Sequence, residues 1–347
     1  MSRARALARP LASAYARALV VVKTTPVAEF TSLVGAGDFY DSRTYAVARH
    51  RHETHRTSCD GVRALLRRYG VEYRCVERQS LSEGSIGDAD LVIALGGDGT
   101  TLACARATRG RDGTPPPILG INTDPATRDE LRAMYLTGAR VDERRSTGHL
   151  CAANRFDAEA TLEAALEGRL RPTRLARIKT TLNGRELEYA LNDVLIAHPS
   201  PASVSRYSVR LPRGANERED APPKFFHVRS SGLRTCTATG STAAMYSAGG
   251  DIMPLDSTQM QYMDREPIYY DHAPTPSAGR GYYERGDAMS LRWNSRKGAI
   301  YIDGDHVKHD VALGDDIEMS TDAPEVNLFV SEWFKQARAS GRLRRDR

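Results

Sequence analysis

Long apolar runs are missing from this 347-residue sequence: no stretch approaches the roughly 20 consecutive apolar residues that a membrane-crossing helix needs. Ala18 to Val22, the best match to the core of a secretory signal, is far too short for one, and no membrane partner is expected. Cysteine is sparse and unpatterned. Cys59, Cys75, Cys104, Cys151 and Cys236 are an odd five with no C-x-x-C spacing, so neither a disulfide framework nor a zinc site is signalled, and a reducing compartment is expected. Strong charge of either sign is also lacking. A net charge of +5 suits small polyanionic substrates, and no nucleic-acid partner is expected. There is no internal repeat. Acid is absent before Glu29, where Arg3, Arg5, Arg9, Arg17 and Lys23 stand among alanines. Residues 1–17 therefore read as a basic extension, either an organellar transit peptide, mitochondrial or other, or a frayed N-terminus of a cytoplasmic protein.

What is present begins with Leu91-Val92-Ile93-Ala94-Leu95, an apolar run without polar alternation, which reads as a strand covered on both faces. It stops on Gly96-Gly97-Asp98-Gly99-Thr100, expected to turn sharply and handle phosphate. Without Cβ atoms, Gly96, Gly97 and Gly99 let backbone N–H groups approach phosphate oxygens. Asp98 cannot serve as a phosphate ligand, because two anions repel, so its place is on a hydroxyl or a Mg²⁺ ion beside the phosphate. The plain alternative is a strand-to-helix turn with Asp98 as N-cap.

Around this loop, Ala18 to Lys23, Val71 to Val76 and Ile118 to Ile121 read as strands. Arg43 to Tyr69 reads as one or two helices ending at Gly70, and Thr100 to Thr108 as another. Strands alternating with helices predict a Rossmann-like α/β domain over residues 18–150, with a parallel sheet whose ligand crevice lies at the carboxyl ends of its strands. After about residue 150 the pattern changes. One helix, Asp157 to Leu166, is followed by short alternating segments at Arg174 to Leu182, Glu186 to Leu191, Val194 to His198, Arg206 to Leu211 and Phe225 to Thr237. Asn183-Gly184 and Asp303-Gly304 are strong hairpin signals, so residues 151–330 read as a β-rich, sandwich-like domain. Pro212 to Pro223 and Ala273 to Gly286 read as loops or lids, and residues 331–347 as a solvated basic tail.

Two further motifs belong to this second domain. Asn192 and Asp193 interrupt the apolar strand Ala190 to Ala197, so they either bond within the fold or reach into a site. The segment Thr237-Ala238-Thr239-Gly240-Ser241-Thr242-Ala243 reads as a turn into a short helix. Its N-terminus offers N–H groups and room for a nucleotide, or else is simply capped by Ser241.

The GGDGT loop, the Asn-Asp strand and the T-x-T-G-S-T-A element, in that order, resemble the NAD kinase family over roughly Leu91 to Val330. Gly120-Ile121-Asn122-Thr123-Asp124-Pro125, Arg145-Ser146-Thr147-Gly148-His149-Leu150-Cys151, Ser205-Arg206-Tyr207, Arg265-Glu266-Pro267-Ile268 and Tyr301-Ile302-Asp303-Gly304 look like its plant NADH kinase and mitochondrial NAD kinase branch. The resemblance implies a fold like that of NAD kinases and diacylglycerol kinases, and ATP-dependent phosphorylation of the adenosine ribose 2′-hydroxyl of NADH or NAD. Mg²⁺ would act without a purely protein-built metal site, and a homodimer is implied. Asp98 would be the catalytic acceptor of the hydroxyl proton. Dinucleotide contacts are implied for Asp98, Gly99, Asn192, Asp193, Arg229 and the segment Thr242-Ala243-Ala244-Met245-Tyr246-Ser247, with Thr239, Gly240 and Ser241 beside them. His149, in a glycine-flanked loop, would contact nucleotide or phosphate, or pack the loop.

Two departures stand out. Ala244 replaces the tyrosine of the usual T-A-Y, and Ser231 replaces the acid of R-x-D-G-L, a loss near the nicotinamide end that would relax preference against one redox form. A diacylglycerol- or sphingosine-type lipid kinase shares the GGDGT half but lacks the other two motifs. A non-catalytic dinucleotide sensor would have no use for Asp98. His50, His52 and His55 are expected to lie on a solvated helix face rather than to bind metal.

Overall fold

The computed structural model describes residues 11–28, 42–108, 114–124, 148–211, 225–268 and 279–339. These divide into two compact units at residues 173 and 174, rather than near 150; the first regains the segment Asn327–Glu332.

The first unit is built as β1 (Arg17–Val22), α1 (Ser42–Arg68), β2 (Glu72–Glu77), β3 (Leu91–Gly96), α2 (Asp98–Ala107), β4 (Ile118–Asn122), β5 (Ala153–Asn154) and α3 (Ala158–Leu166). The stretch Arg43 to Tyr69 is thus one helix, closed by Gly70 at φ +66°, as the left-handed C′ glycine requires. The sheet is parallel, with β1 between β2 and β3, and β4 between β3 and β5. Leu91, Val92, Ile93 and Leu95 are fully buried, because helices cover both sheet faces. The solvated-face expectation holds for His50, which is exposed, and fails for the other two histidines. His55 is 3% exposed and shares a 2.8 Å hydrogen bond with the Thr123 hydroxyl, and His52 shares one of 2.6 Å with Thr25. Burial, then the nearby Lys23 charge, lowers the His55 pKa to about 4, so it stays neutral.

In the second unit, β6 (Thr173–Leu175), β7 (Lys179–Leu182), β8 (Arg185–Glu186), β9 (Asp193–Ala197), β10 (Ser205–Arg210), β11 (Phe225–Ser230) and β12 (Gly232–Cys236) come first. A short 3-10 turn Thr239–Thr242 and α4 (Ala244–Ser247) follow, then β13 (Met260–Arg265), β14 (Arg280–Tyr283), β15 (Ala288–Trp293), β16 (Lys297–Ile302), β17 (Lys308–Ala312) and β18 (Asp316–Ser320); β19 (Val326–Phe329) then returns to the first unit's sheet beside β4, and α5 (Glu332–Ala339) comes last. Two six-stranded sheets, β11-β10-β15-β18-β7-β8 and β14-β13-β12-β9-β16-β17, share one core from Ile196, Leu233 and Ile300 on one side and Tyr207, Leu291 and Trp293 on the other.

Several expectations need correction. The run Arg174 to Leu182 breaks around Arg177, which is fully buried and donates to the Pro324 carbonyl at 2.6 Å. Of Glu186 to Leu191, only Glu186 pairs, in β8, apart from a lone bridge between Ala190 and Ile178. Asn183 and Gly184 do form the expected turn, both at positive φ, 52° and 77°. Asp303-Gly304 also stands in the expected hairpin, between β16 and β17, but opens a longer loop, closed where Ile302 N–H bonds the Val307 carbonyl. Phe225 to Thr237 is not one strand but two, in different sheets. The chain crosses at Ser231, and Gly232 takes φ +125°, where a Cβ would lie 2.5 Å from the Ile196 carbonyl. Part of Ala273 to Gly286 is strand β14. The expected lid Pro212 to Pro223 and the first ten residues of the basic extension lie outside the described residues. Over residues 332–339 the expected solvated tail is helix α5, with Phe334 and Arg338 buried.

Beneath the crossing, the Tyr207 hydroxyl donates to Asp264, and the Ser230 hydroxyl lies 2.9 Å from it. Burial raises the Asp264 carboxyl from 3.8 to about 6, partly opposed by the Tyr207 bond. The fold therefore favours the neutral acid: its contribution is full below pH 4 and is lost as pH rises through 6. Two units correspond to about 3 kcal/mol. Asp264→Asn should match the original chain near pH 4 and exceed it by up to that amount at pH 7.5. Urea unfolding at both pH values checks this, and a pH-independent difference would contradict it.

Candidate active site

In the first unit, the buried strand β3 delivers Gly97 as N-cap of α2, whose first residue is Asp98. The helix thus starts two residues earlier than expected, and Asp98 lies in its first turn rather than at the N-cap, where the helix dipole favours a carboxylate. Asp98 is half-buried, and its Oδ1 accepts the Leu150 amide at 2.9 Å. The fold so brings together the GGDGT loop and the Gly148–Leu150 loop. Gly148 is at φ +70°, where a Cβ would lie 2.7 Å from the Asn122 side-chain amide, and the half-buried His149 immediately precedes the bonding amide.

The glycines and Thr100 do not all serve as expected. A Cβ on Gly96 would collide with the Thr100 side chain, so Gly96 is required by packing. Thr100 is 1% exposed with its hydroxyl unpartnered among the described residues, so it faces inward. Gly99 is exposed, and a Cβ there would lie 3.3 Å from Arg78 Nη1. Lys23 flanks the loop as well, with its Cβ 3.2 Å from where a Gly96 Cβ would be and its ammonium 3.7 Å from Asp124. Sequence reasoning passed over Lys23 and Arg78. Their signal is a basic residue directly after a parallel strand, at the sheet's carboxyl edge.

In the second unit, Asp303 accepts the amides of Leu191, Asn192 and Asp193 at 3.0, 2.7 and 3.3 Å, fixing the start of β9. The sequence had assigned Asp303 only a turn. Asn192 and Asp193 then part ways. Asp193 Oδ2 lies 3.0 Å from Arg234 Nε, a mostly buried ion pair, and burial raises its carboxyl against the Arg234 charge. The side-chain oxygen of Asn192 is buried without a hydrogen-bond partner among the described residues. Its backbone carbonyl accepts Thr237 N–H at 3.0 Å and closes on Gly240, where a Cβ would collide with it. The Asn-Asp strand and the T-G-S-T turn are therefore packed against each other.

Ser241 is not a helix N-cap. Its hydroxyl donates to the Ala238 carbonyl at 2.7 Å and accepts Met253 N–H at 3.0 Å, and the helix N-cap is Ala243. Thr239, Gly240 and Ser241 are buried; Thr242, Ala243, Ala244 and Tyr246 are half-buried, and Ser247 is exposed. Met245 is fully buried with Cys236 and Met263, so its side chain is core and not a ligand contact. Arg229 is exposed on β11, at the edge of the sheet that does not contain β9 and β12.

Residues 8–127 match the ATP-NAD kinase N-terminal domain family. A probable NADH kinase from Oryza sativa subsp. japonica is 41% identical over 283 residues, 81% of this chain and 83% of its own length. An NADH kinase from Arabidopsis thaliana is 39% identical over 322 residues, 92% of this chain and 98% of its own. The solved NAD kinase from Archaeoglobus fulgidus, crystallised with ATP, superposes with a TM-score of 0.61 at 19% identity, covering 94% of this chain and 98% of that one. The three motifs stand in this fold with close, near-full-length relatives on both sides of the comparison, and the chain belongs to the NAD kinase family.

Proposed function

We propose that the chain transfers the γ-phosphoryl group of ATP to the 2′-hydroxyl of the adenosine ribose of NADH, and less efficiently of NAD, giving NADPH and NADP. The observation that carries this reading is Asp98, held by the Leu150 amide in the first turn of the helix that follows the glycine loop. The 2′-oxygen attacks the γ-phosphorus in line, the bond to the β–γ bridging oxygen breaks, ADP leaves, and the hydroxyl proton passes to Asp98. A carboxylate suffices, since the hydroxyl needs positioning and late proton removal. Arg78 and Lys23 offset charge on the triphosphate. Among the described residues, no group of three or more His, Cys, Asp or Glu could hold a metal ion. Mg²⁺ enters as part of the substrate, carried on ATP, where it neutralises charge on the triphosphate. Asn192, Thr239, Gly240 and Thr242 hold the dinucleotide, and a buried oxygen with no partner among the described residues makes Asn192 the strongest of these assignments.

Initial rates with NADH and NAD at matched ATP and Mg²⁺ test the reading. Turnover of both is expected, with the higher kcat/KM for NADH, and turnover of neither would overturn it. The preference for NADH rests on the names of the plant relatives and on two missing groups, the acid at Ser231 and the aromatic at Ala244. Ala244 is half-buried, and on α4 it sits two positions from Tyr246, which therefore points elsewhere. Ala244→Tyr should change the NADH-to-NAD ratio of kcat/KM by roughly 2- to 10-fold, the worth of one aromatic contact. Tyr246→Ala should mainly lower the melting temperature. An unaltered ratio in Ala244→Tyr would show that this position does not set redox selectivity.

A further inference from the structure

Helix α5 carries a buried cation whose hydrogen-bonded acceptors are all neutral. Arg338 is 8% exposed. Its Nη1 donates to the carbonyls of Ala238 at 2.8 Å and Met253 at 3.1 Å, and its Nη2 to the Thr239 carbonyl at 3.0 Å and the Thr242 hydroxyl at 3.1 Å. The guanidinium also lies over the ring of Phe334, 4.8 Å from its centroid. Burial lowers its pKa to about 10, which leaves it charged at neutral pH.

Docking a helix does not require this. A leucine or methionine would fill the same space without the cost of burying a charge. Three of the four acceptors belong to one turn, Ala238 to Thr242, which has no side-chain cap of its own at Ala238. The fourth, Met253, donates its amide to Ser241, whose hydroxyl returns to Ala238, so the guanidinium closes a ring of bonds around the turn. A planar fork with several fixed donors can hold that many acceptors at once; an ammonium cannot do so in the same geometry.

We infer that Arg338 is a positioning residue for the dinucleotide: its fork fixes the Thr239-Gly240-Ser241-Thr242 turn in the shape that receives the substrate. This rests on the assignment of that turn to dinucleotide binding made above. The fork matters here rather than the charge, so lysine should not replace it.

The test compares Arg338→Lys, Arg338→Ala and Phe334→Leu in the full chain, with KM for NADH, KM for ATP, kcat and thermal unfolding measured for each. Arg338→Lys and Arg338→Ala should raise KM for NADH about tenfold or more, as expected for losing two or three hydrogen bonds, with KM for ATP within about twofold. Millimolar guanidinium should partly restore Arg338→Ala. Phe334→Leu, which removes the ring beneath the guanidinium but none of the fork's hydrogen bonds, should lower the melting temperature and leave KM for NADH within about twofold. If Arg338→Ala does not fold, Arg338→Lys carries the comparison. An unchanged KM for NADH in Arg338→Lys, an equal rise in both KM values, or the same rise in Phe334→Leu would overturn the inference. Failure of the original chain to turn over NADH or NAD would instead remove the functional reading beneath it.

Discussion

Asp98→Asn is expected to lower kcat by about 10² or more while leaving dinucleotide affinity and the melting temperature unchanged, because the amide keeps the shape but cannot take the proton. The Leu150 amide that now meets Asp98 Oδ1 at 2.9 Å can still meet the amide oxygen, so the Gly148–Leu150 loop stays in place. Steady-state rates, with calorimetric titration of the dinucleotide, separate the two effects. A variant that turns over within a few fold of the original would show that Asp98 is not the proton acceptor.

The second large effect divides two adjacent residues. Asn192→Ala removes a buried oxygen that has no bond to lose among the described residues, so its cost should appear in dinucleotide affinity, about 1 to 3 kcal/mol, with little change in stability. Asp193→Ala leaves Arg234 mostly buried without its carboxylate, and should cost about 3 kcal/mol of folding stability. That loss should be read by urea unfolding at pH 7. A lower melting temperature with unchanged affinity in Asn192→Ala would place that residue in the scaffold instead.

Whatever rests on local pattern could be read from the sequence. The buried parallel strands β1, β3 and β4 announced themselves as apolar runs, and the Asn183-Gly184 turn by its two positive-φ residues. What depends on distant partners could not. Ser231 gives no sign that β11 and β12 belong to different sheets, because both halves carry ordinary strand residues. Asp303 reads as a turn residue until β16 is set beside β9, when its carboxylate meets three amides more than a hundred positions earlier. Thr100 and Met245 lie within motifs that also hold partly exposed residues, Asp98 and Gly99 in one and Ala244 and Tyr246 in the other, and only burial shows that their own side chains turn inward. Arg338 sits in a basic stretch that looks solvated, and nothing local reveals its acceptors at Ala238, Thr239, Thr242 and Met253.

One strand of the parallel sheet is supplied after the whole sandwich. In β19, Leu328 and Phe329 pair in parallel with Ile118 and Leu119 of β4, and both are fully buried. During synthesis, the first unit must therefore wait for more than 150 residues of intervening chain before its sheet can close. Until then the Ile118–Leu119 half of β4, beyond its pairing with β5, presents an unpaired apolar edge, a surface that invites pairing with another nascent chain. A fragment ending near residue 173 would keep the entire glycine loop yet carry that open edge permanently, and so the loop's chemistry cannot be separated from the sandwich simply by cutting the chain where the two units divide.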